Sequence, residues 1–249
     1  YIQKGNFGTK PLVVLRNPKS IFAESFRLIR TRLEFIAKYN KNKSAAILIT
    51  SCESGDGKSF VSVNLAGIYA MEKKRTILID LDLRKPSLAT SLALDAKKGI
   101  SNYLIGQVEL DEIIIKDSKY PFDIILAGTI PPNPGELVKS EYLKELLNTL
   151  KEEYEYIIID TSPIGLVGDA YAITSVVDAN LFVVRQEKTN KSFFKNVIEQ
   201  IKLDKVPNVY IVLNAIDIKK NEYSTYHGYM KKAYGRSRSD KYYEYYDNK

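Results

Sequence analysis

Six short runs rich in Ile, Val and Leu recur along this sequence, at residues 45–50, 76–81, 122–127, 156–160, 180–184 and 209–213. Near-continuous apolar runs of that length suit strands buried on both faces, as in a parallel sheet. Between them apolar residues return every three or four positions, at about 58–72, 139–153, 168–177 and 191–203, which is helical spacing. Strand and helix in alternation predict an α/β fold, a doubly wound, mostly parallel sheet flanked by helices. Its ligand is then expected at the carboxyl ends of the strands. Residues 86–118 carry a weaker pattern and predict one or two short helices.

The first apolar run stops at Ser51-Cys52-Glu53-Ser54-Gly55-Asp56-Gly57-Lys58-Ser59, and a helical pattern opens there and continues through Phe60. A small glycine-containing loop at that junction aims backbone N–H groups at one spot, at the positive end of a helix dipole. Lys58 adds a full charge, and Ser59 offers a hydroxyl to a metal ion. Gly55, Asp56, Gly57, Lys58, Ser59 and Phe60 are therefore candidate contacts for a nucleoside triphosphate. In the G-x-x-x-x-G-K-[ST] pattern Cys52 stands where the first glycine is usual.

Two further runs end in acids, Asp80-Leu81-Asp82 and Asp160. Residues two apart on a strand point to one side, so Asp80 and Asp82 can both face the loop. Magnesium takes near-octahedral oxygen ligands and keeps several waters; Ser59, one or two carboxylates and phosphate oxygens suffice for it. A third carboxylate is then free for other work. A tyrosine hydroxyl, with a pKa of about 10, gains from a nearby base.

Composition narrows the setting. The 249 residues carry a net charge of +7, which suits an anionic partner such as nucleotide, acidic membrane or nucleic acid without choosing among them. A single cysteine excludes an intrachain disulfide, no run approaches the roughly 18 apolar residues of a membrane-spanning helix, and no signal peptide is evident. The sequence begins at Tyr1 rather than Met, so it is expected to be cut from a longer protein.

Residues 1–17 read as a polar, glycine-containing leader, and residues 18–39 as a helix with Phe22, Phe26, Ile29, Leu33 and Ile36 on one face. The leader, that helix and the alternating units are expected to form one domain over residues 1–222. Residues 223–249 differ. Tyr223, Tyr226, Tyr229, Tyr234, Tyr242, Tyr243, Tyr245 and Tyr246 put eight of the 18 tyrosines there, where an even spread would give about two. The segment lacks Ile, Leu and Val, cannot build a core, and is expected to be a flexible tail.

Together these residues resemble the bacterial tyrosine kinases (BY-kinases) of capsule and exopolysaccharide systems, from about residue 18 onward. The Walker A loop at 51–59, the Walker A′ strand Asp80-Leu81-Asp82-Leu83-Arg84 and the Walker B strand at 157–160 carry the resemblance. So do an E-x-x-R-x-x-R helix (Glu24, Arg27, Arg30), the segment Ile130-Pro131-Pro132-Asn133-Pro134-Gly135-Glu136-Leu137 and the tyrosine cluster. Ser54 stands where the family usually has proline, and Ser162-Pro163 where it has two prolines; both changes affect loop stiffness rather than ligands.

The resemblance implies an ATP-dependent protein-tyrosine kinase of the P-loop NTPase class. Lys58 would bind the β- and γ-phosphates, and Ser59 and Asp82 would hold Mg2+, with Asp160 acting on the metal or its water shell. Asp80 is implied as the base, Arg84 as a support for the A′ strand or phosphate charge, and Asn214 as an adenine contact. Glu24, Arg27 and Arg30 are implied to build a ring of copies, commonly an octamer, in which one subunit's tail tyrosines enter a neighbour's site. A transmembrane activator, fused upstream or separate, and a tyrosine phosphatase are implied partners, and no nucleic acid is expected. The implied location is the cytoplasmic face of the bacterial inner membrane, in capsule or exopolysaccharide synthesis and export.

Two other functions fit part of the pattern. A ParA/MinD-like switch ATPase would carry an additional lysine before the loop glycines, where this chain has Cys52-Glu53-Ser54. A nucleotide-dependent scaffold with little kinase activity would have the same ligands for ATP.

Overall fold

The computed structural model describes residue 2 and residues 11–39, 44–95, 97–165 and 168–217. Within them lies one seven-stranded sheet. In chain order its strands are β1 (Ala45–Ser51), β2 (Thr76–Leu81), β3 (Ile114–Ile115), β4 (Asp123–Ile125), β5 (Tyr156–Thr161), β6 (Ala179–Arg185) and β7 (Val209–Asn214). Across the sheet the order is β3-β4-β2-β5-β1-β6-β7, and every pairing is parallel except β3 with β4. The three central strands β1, β2 and β5 are buried from end to end, which is why their sequences run apolar without alternating. From β1 the chain crosses β5 to reach β2, and later enters β6 on the other flank of β1. That reversal opens a crevice at the carboxyl end of β1.

Helices cover both faces. On one, α2 (Ile21–Tyr39) and α3 (Lys58–Ala70) bury Phe22, Phe26, Leu65 and Tyr69 against the sheet. On the other, α7 (Glu141–Glu153) buries Leu143, Leu146, Leu147 and Leu150. A smaller cluster joins Val197 and Ile201 of α8 (Lys191–Leu203) to Phe182 of β6. Caps start two of these helices: Ser20 Oγ accepts from Ala23 N at 3.1 Å and Asn190 Oδ1 from Phe193 N at 3.0 Å.

Several expectations need correcting. The leader is not polar throughout: Leu12, Val13 and Val14 are buried, and α1 (Val13–Arg16) packs on α3. Asn64 fastens it, its Oδ1 accepting from Val13 N (2.9 Å) and Val14 N (3.1 Å) while its Nδ2 donates to the Pro11 carbonyl (2.7 Å). Four apolar residues between prolines are too few to show a period. Ile2 is likewise buried, exchanging backbone hydrogen bonds with Leu213 and Ile216 beside β7. The helical pattern at 139–153 is met by α7, with an unexpected short helix α6 (Pro134–Val138) just before it, whereas that at 168–177 shrinks to a 3-10 turn, Ala170–Ile173. Residues 86–118 hold α4 (Leu88–Leu92) and α5 (Ile100–Leu104), followed by the unexpected antiparallel strand β3. Among the described residues no helix is long and apolar enough to cross a membrane.

Candidate active site

The loop leaving β1 turns twice through conformations open to glycine. Gly55 has φ +83° and Gly57, the residue before α3, has φ +99°. Space matters as much: a Cβ on Gly57 would lie 2.2 Å from Asn214 Nδ2, and one on Gly55 2.0 Å from Lys188 Nζ. Those neighbours form a wall from the carboxyl ends of β6 and β7. Lys188 Nζ donates to the Ser54 carbonyl (2.8 Å), Arg185 Nη1 to the Gly55 carbonyl (3.0 Å) and Asn214 Nδ2 to the Asp56 carbonyl (2.9 Å). In a trans peptide the N–H points opposite to the C=O. Pulling three successive carbonyls to the wall therefore turns the N–H groups of Gly55, Asp56 and Gly57 away from it. Asp56 is buried and adds a brace, its carboxylate accepting from Glu53 N (3.1 Å) and from Thr189 Oγ1 (3.0 Å).

Gly55 and Gly57 of that turn border a cavity of about 440 Å³, a volume in the range of small-molecule sites. Gly55, Gly57, Lys58, Ser59 and Phe60 line one side, Asp82, Arg84, Lys85 and Ser87 another, and Ser162 and Pro163 close it. Ser59 Oγ lies 2.9 Å from Ser87 Oγ. Buried Cys52 beneath the loop is no nucleophile: burial first, then the Asp56 and Glu53 carboxylates, push its thiol up to about 12.

The three acids meet, but not as equals. Asp82 follows the last residue of β2 and lines the cavity, whereas Asp80 and Asp160 are opposed across β2 and β5 and almost wholly buried. Asp80 accepts from Asp82 N and Leu88 N, both at 3.2 Å, and Asp82 from Lys85 N at 3.1 Å. Asp160 accepts from Ser62 Oγ at 3.1 Å. Burial raises the proton affinity of both inner acids. The Asp160 carboxylate raises Asp80 further, while the Lys58 ammonium and the Ser59 and Ser62 hydroxyls restrain the rise at Asp160. Among the described residues no three His, Cys, Asp or Glu side chains converge as a ready-made metal cage. The oxygen set of Ser59, Asp82 and Asp160 fits Mg2+, an ion that completes its shell with phosphates and water.

The loops that follow β2 and β5 are joined beside the cavity, which Arg84 lines. Arg84 grips Asp169 with both forks, Nε to Oδ2 at 2.5 Å and Nη2 to Oδ1 at 3.1 Å. The near end of the loop after β5 is tied instead to β1, Ile164 N donating to the Ser51 carbonyl and to Thr50 Oγ1.

Sequence reasoning missed Asp169, which meets Arg84 because β5 lies beside β2, and Thr189, Arg185 and Lys188, which gather at the phosphate loop because β6 lies beside β1. No local pattern signals them. Away from the cavity, Glu24 pairs with Arg27 at 2.9 Å on an open face of α2, the i,i+3 pair the sequence offers. Arg30 turns inward to Glu34 and Glu72, leaving its side chain only 13% exposed. Tyr223, Tyr226, Tyr229, Tyr234, Tyr242, Tyr243, Tyr245 and Tyr246 lie outside the described residues.

Comparison with known proteins gives this arrangement a lineage. A family model described as an AAA domain matches residues 44–203. The chain is 32% identical over 225 residues to the tyrosine-protein kinase YwqD of Bacillus subtilis, covering 90% of this chain and 94% of that protein. It is 34% identical over 210 residues to the tyrosine-protein kinase CpsD of Streptococcus agalactiae, covering 84% and 90%. A relative from the cps region of Klebsiella pneumoniae is 37% identical, but there the match spans 72% of this chain and 24% of the relative. Among solved structures, the chimerical protein CapA2B2 superposes with a TM-score of 0.78 at 33% identity, over 86% of this chain and 92% of that one. The kinase domain of the Escherichia coli tyrosine kinase ETK gives 0.77 at 29%, over 84% and 82%. A MinC:MinD complex from Aquifex aeolicus, at 22% identity and 0.61, shares the fold. Full-length likeness to tyrosine-protein kinases, on a sheet whose strand ends gather a phosphate-type loop and three acids, leads to one conclusion: this chain belongs to the bacterial protein-tyrosine kinase family, with the mostly parallel α/β fold of P-loop NTPases.

Proposed function

We propose that this kinase transfers the γ-phosphoryl group of ATP to tyrosines of its own C-terminal segment, mainly between subunits of a ring. The observation that carries the reading is the meeting of Lys58, Ser59 and Asp82 on one cavity, with Asp80 and Asp160 directly behind. Lys58 and the N–H groups of Gly55, Asp56 and Gly57 hold the phosphates, Phe60 borders the nucleotide, and Asn214 meets the adenine side. Ser59, Asp82 and Asp160 hold Mg2+. Bound there, magnesium neutralises charge on the phosphates of ATP.

The rest falls to this chain's residues. The acceptor tyrosine oxygen bonds to the γ-phosphorus as the bond to the β,γ-bridging oxygen breaks. The tyrosine proton passes to Asp80, whose raised proton affinity suits a base. Asp80 is covered by the A′ loop, so the acceptor reaches it beside Asp82. Positioning and charge do most of the work.

The proposed acceptors are Tyr223 to Tyr246, and Glu24, Arg27 and Arg30 are the proposed ring contacts. The pairing with a transmembrane activator is supported by relatives of two sizes, one matched almost throughout and one over a quarter of its length. Each phosphotyrosine adds about −1.5 to −2 charges, which repels the segment from a site with three acids, so phosphorylation loosens the ring and regulates capsule or exopolysaccharide export. Sedimentation of phosphorylated and dephosphorylated protein as the same ring overturns that last step.

The deciding experiment incubates the protein with ATP and Mg2+ and maps modified residues by mass spectrometry, beside Lys58→Met and a form cut after residue 222. Phosphotyrosine within 223–246, absent in Lys58→Met, is expected. Hydrolysis of ATP without tyrosine modification would mean a switch ATPase; binding without turnover, a scaffold.

A further inference from the structure

We infer that the Arg84–Asp169 ion pair is a clasp that positions the acceptor side of the site, and that Arg84 acts through Asp169 rather than on the nucleotide. Arg84 belongs to the loop that follows β2 and bonds both Asp80 and Asp82 through its backbone; Asp169 ends the loop that follows β5 and Asp160. Among the described residues no other side-chain hydrogen bond joins these two loops. The pair is asymmetric: the Asp169 side chain is 11% exposed and that of Arg84 43%. A fork-to-fork pair fixes orientation as well as distance, and with its acid buried the guanidinium is held in place at the cavity wall. A third element lies against it on one side. A Cβ on Gly135, in α6, would come within 2.9 Å of Asp169 Oδ1 and 3.8 Å of Arg84 Nη2. The turn of the phosphate loop at residues 54–56, by contrast, makes no bond to this pair: its three carbonyls are held from the ends of β6 and β7, although Ser59 and Ser51 each touch one of the clasped loops. The clasp therefore governs how Asp80, Asp82 and Asp160 face the incoming tyrosine, and leaves the grip on ATP alone.

The inference rests on the kinase reading, and the test separates the two. Full-length Arg84→Gln, Asp169→Asn and the double variant are compared with the unaltered protein for tyrosine phosphorylation, nucleotide affinity and amide exchange across residues 162–169. Each single variant is expected to lower kcat on the order of ten- to a hundredfold, as displacement of a positioning group does. The affinity for ATP should stay within about threefold, and the double variant should be no worse than the poorer single one. Arg84→Lys, which keeps the charge but loses the fork, should recover only part of the loss. Independent, multiplying losses in the double variant overturn the clasp, as does an equal fall in ATP affinity. If the unaltered protein phosphorylates no tyrosine, the kinase reading alone fails. The exchange measurement then decides: faster exchange of 162–169 in Arg84→Gln supports the clasp, and unchanged exchange overturns it.

Discussion

The two walls of the cavity are built on different principles. On the β6–β7 side, three side chains seize three successive carbonyls of the phosphate loop, and Thr189 adds a fourth bond through Asp56. On the acid side, one ion pair bridges two loops. Many short bonds to a backbone make a surface that barely adjusts; a single pair between loop tips makes one that can be re-aimed. The difference assigns tasks. The rigid wall suits a donor that is the same at every turnover, and the adjustable wall suits acceptors that arrive as different tyrosines.

The comparison breaks most completely at its shared point. Lys58→Met is expected to lower phosphotyrosine formation on the order of a thousandfold, the scale of losing a charge-stabilising donor, and immunoblotting or mass spectrometry measures it. Next, Asn214→Ala strikes the rigid wall and leaves the Asp56 carbonyl without its buried partner. ATP should then bind about tenfold more weakly, since such a loss is worth about 1–3 kcal/mol, while kcat at saturation changes little. Calorimetric titration that finds unchanged affinity removes the case for a rigid donor wall.

The acids answer to pH. Asp80 binds its proton more tightly in the folded protein than in the unfolded chain. Above the ordinary carboxylate range, near pH 4, the native state therefore holds more protons, and stability falls as pH rises. Metal-free protein should lose several degrees of Tm between pH 5 and pH 8, on the scale of about 2–4 °C per kcal/mol for a chain this long. Asp80→Asn should flatten that slope, and an equal slope in both proteins sinks the assignment. A finer probe is Gly135→Ala, which crowds Asp169 and should lower kcat a few-fold while nucleotide affinity stays put. Smallest of all, Glu24→Ala on the open face of α2 should shift stability by about 0.5 kcal/mol or less, so any loss of assembly seen by sedimentation is not a folding defect.

How much of this was legible beforehand follows from the range of each interaction. The strands of the central sheet and the residues at their ends, Lys58, Ser59, Asp80, Asp82 and Asp160, could be read because each signal sits within about ten residues of sequence. The rank of the acids could not. Alternation put Asp80 and Asp82 on one side of a strand, yet β2 ends between them, so one is covered and the other meets the cavity. Asp169, Thr189 and Arg185 were illegible because they are brought in by strand order, a property of the whole sheet. Leu12-Val13-Val14-Leu15 was misread for the opposite reason, being too short to have a period although Asn64 specifies its place.

Asn214 has one more consequence. It is the last residue of β7, and the chain runs on from it toward the tyrosine-bearing segment. The residue that braces the phosphate loop thus lies three positions before the last described anchor of the segment proposed as acceptor. Tension along that segment would meet Asp217, held by Gln186, and buried Ile216, bonded to Ile2, before it reached Asn214, so the seat of the nucleotide is shielded from its own substrate end by two residues of backbone anchoring.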